Sequence, residues 1–240
     1  MAARLSGDPQ DAGSLNANGM SASASLSSTE SSPLGFIHRF VPPEKGSQIT
    51  LLLLHGTGGN ENDLLGLGSQ LLPGAALLSP RGKVLENGAP RFFRRLAEGV
   101  FDINDLVNRT EELGRFVEKA STKYGLGRKI IAVGYSNGAN IAASLLLLRP
   151  GLLTGAVLFR PMVPFTMQNV PDLSGTQVLI EAGTGDIMVP REQPEALADL
   201  FRRGKAEVTL LRQDAGHQLT EADIEGARQW FSRLPGSLSR

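Results

Sequence analysis

The chain has 240 residues, 41% of them apolar, and its 24 basic residues balance 24 acidic ones. That size and apolar content suit one domain with a full hydrophobic core, and the balance leaves no basic field for a nucleic-acid backbone or an anionic membrane. The absence of cysteine excludes disulfides, thiolate catalysis and cysteine–zinc sites, and no apolar run approaches the roughly 20 residues that span a bilayer.

Residues 1–33, closing on SASASLSSTESSP, carry almost no large apolar side chains. Such a segment buries too little surface to offset its ordering entropy, so a disordered tail is predicted. It lacks the unbroken apolar stretch of a secretory signal. The folded domain is expected over residues 34–240. GFIHRFVPP (35–43) alternates in part and reads as an edge or antiparallel strand. ITLLLLHG (49–56) is short, continuous and apolar, the pattern of a strand buried on both faces. NENDLLGLGSQL (60–71) reads as a short capped helix, AALLSP (75–80) as a strand, and RGKVLENGAPRFFRRLAEGVFD (81–102) as a long loop.

Between Asp105 and Tyr124, Leu106, Leu113, Phe116, Val117 and Ala120 recur at helical spacing. KIIAVGY (129–135) reads as a buried strand and NIAASLLLL (140–148) as a helix. TGAVLFR (154–160), TQVLIEAG (176–183) and AEVTLLR (206–212) are three further strands. A loop, PMVPFTMQNVPDL (161–173), and a helix, PEALADLFRRG (194–204), lie between them. ADIEGARQWFSRL (222–234) closes as a helix. Strands alternating with helices imply right-handed crossovers and a mainly parallel sheet with helices on both faces. In such sheets chemistry gathers at the carboxyl ends of the strands.

Four of those ends carry suggestive residues. HGTGG (55–59) is a glycine loop, readable either as plain flexibility or as backbone N–H groups turned toward a ligand. GYSNG (134–138) places Ser136 in the pattern Gly-x-Ser-x-Gly. With 28 glycines in the chain that pattern alone decides little, but its setting between a buried strand and a helix is the one a nucleophile elbow requires. The following helix also turns its positive dipole end toward the site. After IEAG comes Asp186, beyond the strand end and better placed as an acid than Glu181 inside the strand. His217 follows the last strand. His38 lies in the first strand and His55 opens the glycine loop, which leaves His217 as the histidine placed to activate Ser136. Asp214 reads as a turn residue, with the orienting acid as its alternative. A serine hydroxyl needs a base, and the base needs an orienting acid. The order Ser136, Asp186, His217 is the one expected of an α/β-hydrolase.

On LLLLHGTGGNENDLL, PRFFRRLAEGVFD, GYSNGANIAASLL, PMVP, AGTGD and GHQLT, the chain from about Leu51 to Leu219 resembles the α/β-hydrolase superfamily. Within it the chain resembles the small carboxylesterase/phospholipase family, which includes acyl-protein thioesterases and dienelactone-hydrolase-like enzymes. It is similar to bacterial hydrolases associated with hydroquinone and quinone stress. The resemblance implies a three-layer α/β-hydrolase fold without a large lid domain and Ser136, Asp186 and His217 as nucleophile, acid and base. It also implies an oxyanion hole from the backbone N–H groups of Thr57 and Asn137, and a homodimer. The reaction expected is hydrolysis of small to medium apolar carboxylic esters, in the cytoplasm, with no cofactor and no metal. Thioesters, lysophospholipids and lactones are alternatives on the same site, and a non-catalytic receptor of the same fold is a further one. Phe92, Phe93, Met162, Val163, Ile187 and Met188 are the expected pocket residues. Arg91, Arg94 and Arg95 read as a solvated basic stretch or, alternatively, as an attractor for a carboxylate or phosphate.

Overall fold

The computed structural model describes residues 34–127 and 129–234; the expected tail, residues 1–33, lies outside them. Seven strands form one sheet. In chain order they are β1 (His38–Val41), β2 (Ile49–Leu54), β3 (Ala76–Pro80), β8 (Lys129–Tyr135), β9 (Gly155–Phe159), β10 (Gln177–Gly183) and β11 (Glu207–Gln213). The spatial order is β1-β3-β2-β8-β9-β10-β11. β1 runs antiparallel to β3 at one edge, and the remaining pairs are parallel.

The continuous apolar run of β2 is buried at every position because the sheet is covered on both sides. Leu52 and Leu54 join one core with α2 (Ile103–Tyr124), α3 (Asn137–Leu148) and α4 (Gln193–Arg203). Leu51 and Leu53 join a second core with α1 (Leu65–Leu71) and α5 (Glu221–Arg233). Successive strand side chains point to opposite faces, so one apolar strand feeds two cores. Each fully buried leucine contributes roughly 2 kcal/mol by area.

Three expectations are revised. Residues 81–102 are built as two small hairpins, β4 (Val84–Glu86) with β5 (Ala89–Arg91) and β6 (Arg95–Ala97) with β7 (Val100–Phe101). Asn87 and Gly88 turn the first with positive φ, the signature of a tight two-residue hairpin. The helix expected from Asn60 begins at Leu65, after a turn in which Asn60 and Asp63 bond to nearby backbone N–H groups. Those side chains satisfy the backbone outside a helix. α3 begins at Asn137 rather than Asn140, so the helix starts directly on the residue after Ser136.

Candidate active site

Ser136 sits at the junction of β8 and α3 with φ 53° and ψ −113°, a conformation that costs a residue with a Cβ about 1–3 kcal/mol. The surroundings impose it. The Ser136 N–H donates to Phe159 O (2.9 Å), and Ser136 O accepts from Asn140 N (3.0 Å). The two flanking glycines are required by space. A Cβ on Gly134 would lie 2.5 Å from Gly138 O, and one on Gly138 would overlap the Leu54 carbonyl.

The side chains expected to act together do meet. Ser136 Oγ lies 3.0 Å from His217 Nε2, and His217 Nδ1 lies 2.8 Å from Asp186 Oδ2. If Nδ1 carries the proton it donates to the carboxylate, and Nε2 is left to accept from the serine hydroxyl. The Asp186 side chain is 1% exposed, and its other oxygen accepts from the N–H groups of Met188 (2.8 Å) and Val189 (3.2 Å). Both carboxylate oxygens are therefore satisfied, which fixes the Asp186 side chain behind the imidazole ring. The alternative acids are placed elsewhere. Asp214 accepts from Thr184 Oγ1 at 3.4 Å on the surface. Glu181 is fully buried and accepts from Gln213 Nε2 at 3.2 Å, with its second oxygen unpartnered among the described residues. Burial pushes the Glu181 carboxyl up to about 7.

Thr57 and Asn137 flank the serine in the same cleft. Asn137 opens α3, so its N–H is among the four at a helix start that have no intrahelical acceptor. The segment around β5 backs both residues. Arg91 Nη1 donates to Thr57 Oγ1 (2.9 Å), and the Phe92 N–H donates to Asn137 Oδ1 (2.8 Å). His55, discounted as a base from its position, uses its ring structurally. Nε2 accepts from the Gly82 N–H at 3.0 Å, so Nδ1 carries the proton and donates to Gly56 O at 2.6 Å. Burial lowers its pKa and keeps it neutral.

Of the six expected pocket residues, Met162 and Met188 line the cleft at Ser136, together with Phe101 and Val189. The other four are not among the residues that line it. Phe92 and Phe93 are 2% and 0% exposed. Phe92 packs on the His55 ring and Phe93 edge-on against Phe101, so both serve the core beneath the cleft. Val163 packs against the core, and Ile187 is 99% exposed. Of the arginines, Arg94 points to solvent and pairs with Asp102 at 3.0 Å. Arg91 and Arg95 line the cleft, but both share Glu86 (3.2 and 2.8 Å), and Glu98 lines the cleft beside them. The local charge is therefore balanced. Position along the chain gave no signal for Arg160, Tyr135, Asp223 or Asn140. Arg160 follows β9 directly and is buried on Asp223, 63 residues away. Asn140 Oδ1 accepts from Met162 N at 2.7 Å and carries the cleft wall.

A doubly covered, mainly parallel sheet with a serine elbow, a histidine loop and an acid loop at its strand ends defines an α/β-hydrolase. No family model matches the chain. It is 53% identical over 190 residues to the inferred hydrolase MhqD of Bacillus subtilis (strain 168), covering 78% of this chain and 95% of that one. Among solved structures it is similar to a Bacillus cereus carboxylesterase, with 48% identity and a TM-score of 0.82 over 84% of this chain and 96% of that one. A Mesorhizobium loti carboxylesterase matches with 33% identity and a TM-score of 0.77 over 85% and 97%. The chain belongs to the α/β-hydrolase carboxylesterase family and is an ester-hydrolysing enzyme. Among the described residues, no helix is long and apolar enough to cross a membrane.

Proposed function

We propose that the chain is a serine carboxylesterase that hydrolyses small to medium apolar alkyl or aryl esters through an acyl-enzyme on Ser136. The observation that carries this reading is the pair of contacts on His217, 3.0 Å to Ser136 Oγ and 2.8 Å to Asp186 Oδ2, at a strained elbow. Ser136 Oγ attacks the ester carbonyl as His217 Nε2 takes its proton, and Asp186 holds the imidazole and stabilises its charged form. The N–H groups of Thr57 and Asn137 receive the developing oxyanion, each contributing about 3 kcal/mol to the transition state. His217 then protonates the leaving alcohol, and water repeats the sequence on the acyl-enzyme. Met162, Met188, Val189 and Phe101 supply an apolar side for an acyl or aryl group, in a cleft that Arg91, Arg95 and Glu98 also line. The cleft, at about 60 Å³, favours a short one. The homodimer implied by the resemblance belongs to the same proposal and is read by sedimentation.

The test is a panel of p-nitrophenyl esters of rising acyl length, set beside thioesters and lysophospholipids. The expected result is highest kcat/KM on short esters, with Ser136→Ala lower by about 10⁴-fold or more. Turnover by Ser136→Ala equal to wild type would overturn the mechanism. Preference for thioesters or lysophospholipids would overturn the substrate class.

A further inference from the structure

We propose that Arg160 is a positioning residue for His217, gripping the backbone on both sides of the imidazole; this rests on the reading of His217 as the general base. Arg160 follows β9, is 1% exposed, and has φ 55°, left-handed backbone that a residue with a Cβ adopts only when its surroundings demand it. Its own N–H donates to Glu181 O at 2.8 Å. The guanidinium then reaches under the histidine loop. Nε donates to Gly216 O (2.9 Å) and Nη2 to Gln218 O (3.0 Å), the carbonyls immediately before and after His217. Nη1 and Nη2 clasp the two oxygens of Asp223 (2.7 and 2.8 Å), and Nη1 also donates to Glu181 O (3.3 Å). All five N–H groups of the fork thus have an acceptor. The remaining carbonyl, His217 O, accepts from the Tyr135 hydroxyl at 3.2 Å. Three consecutive carbonyls are held by side chains, two of them by one rigid plane.

The arrangement joins base and nucleophile. Phe159 O holds the Ser136 N–H, and the next residue along, Arg160, holds the loop of His217. Asp223 extends the grip to α5, because its Oδ2 also accepts from the N–H and hydroxyl of Thr220 (both 2.8 Å). A buried ion pair is weak evidence for stability in itself, whereas a planar fork fixes its acceptors relative to one another. Lysine cannot reproduce that geometry. Proton transfer between Ser136 and His217 depends on placement at a scale where a 1 Å error costs about 10²-fold in rate.

The experiment compares wild type with the double variant Arg160→Met/Asp223→Leu, which removes the pair without leaving a buried carboxylate alone. It also uses Tyr135→Phe, which removes one hydroxyl, and His217→Ala. Thermal midpoint, kcat and KM on a short p-nitrophenyl ester, and the rate of fluorophosphonate labelling are measured for each. The double variant is expected to lose about 10²-fold in kcat and to label more slowly in parallel, with KM within about twofold of wild type. Tyr135→Phe, whose fold does not depend on a buried charge, is expected to lose about three- to tenfold in kcat at unchanged KM, in line with one neutral hydrogen bond, with the midpoint within about 4 °C of wild type. Wild-type kcat per folded molecule in the double variant, with only the midpoint lowered, would overturn the proposal. So would wild-type kcat in Tyr135→Phe if the double variant does not fold. Wild-type kcat in His217→Ala would instead overturn the general-base reading.

Discussion

Ser136 and His217 stand 3.0 Å apart but are held by different means. Ser136 is fixed by its own neighbours in the chain, with glycines two residues before and after it that admit no side chain and a helix that begins on the next residue. His217 lies in a loop whose backbone is fixed by side chains from β8, the end of β9 and α5, 82, 57 and 6 residues away in sequence (Tyr135, Arg160, Asp223). Ser136 is positioned by sterics, which tolerate almost no substitution. His217 is positioned by a hydrogen-bonded network, which weakens in steps as partners are removed.

Asp186→Asn should give the largest effect short of removing Ser136 or His217. An amide behind His217 Nδ1 favours the wrong tautomer, and kcat should fall by about 10⁴-fold with the fold intact, as read by steady-state kinetics beside circular dichroism. Gly138→Ala attacks the steric side. Its Cβ would overlap the Leu54 carbonyl, backbone that cannot move aside, so the variant should lose about 3 kcal/mol or more in urea unfolding. Wild-type stability in Gly138→Ala would show that the elbow is looser than its geometry implies.

Glu181 tests the region under the histidine loop without touching the reacting atoms. Its carboxyl is raised to about 7, first by burial. A folded-state value above the unfolded one means stability that is present in full below about pH 4.5 and lost as pH rises through 7. The loss is on the order of 3 kcal/mol. Glu181→Gln should abolish that slope, so its advantage over wild type should grow from pH 5 to pH 8 in urea unfolding. The smallest effect is expected at Asp214→Asn, an exposed aspartate with one 3.4 Å contact. Its kcat should stay within about twofold of wild type, which separates Asp214 from Asp186 as the acid.

The same contrast explains what could be read from residues alone. Strand-buried runs such as ITLLLL and the helical spacing from Leu106 to Ala120 report burial directly, so the parallel sheet and its covering helices were legible. GYSNG was legible because its constraint is local. The hairpins in residues 81–102 were not, since their strands are two or three residues long and too short to show alternation. Phe92 and Phe93 looked like a pocket because aromatic residues near a site serve either cleft or core, and only packing on His55 and Phe101 distinguishes the two. Arg160 and Asp223 had no mutual signal. A charge at a strand end and an acid in the first turn of a helix each have an ordinary reading, and only the fold brings them to 2.7 Å.

Covalent capture tests Ser136 as an activated nucleophile most directly. Wild-type protein treated with a fluorophosphonate and digested for mass spectrometry should carry one adduct, on the peptide containing Ser136. Ser136→Ala should carry none, and Asp186→Asn should label far more slowly than wild type. An unlabelled wild-type protein, or equal labelling of Ser136→Ala, would contradict it.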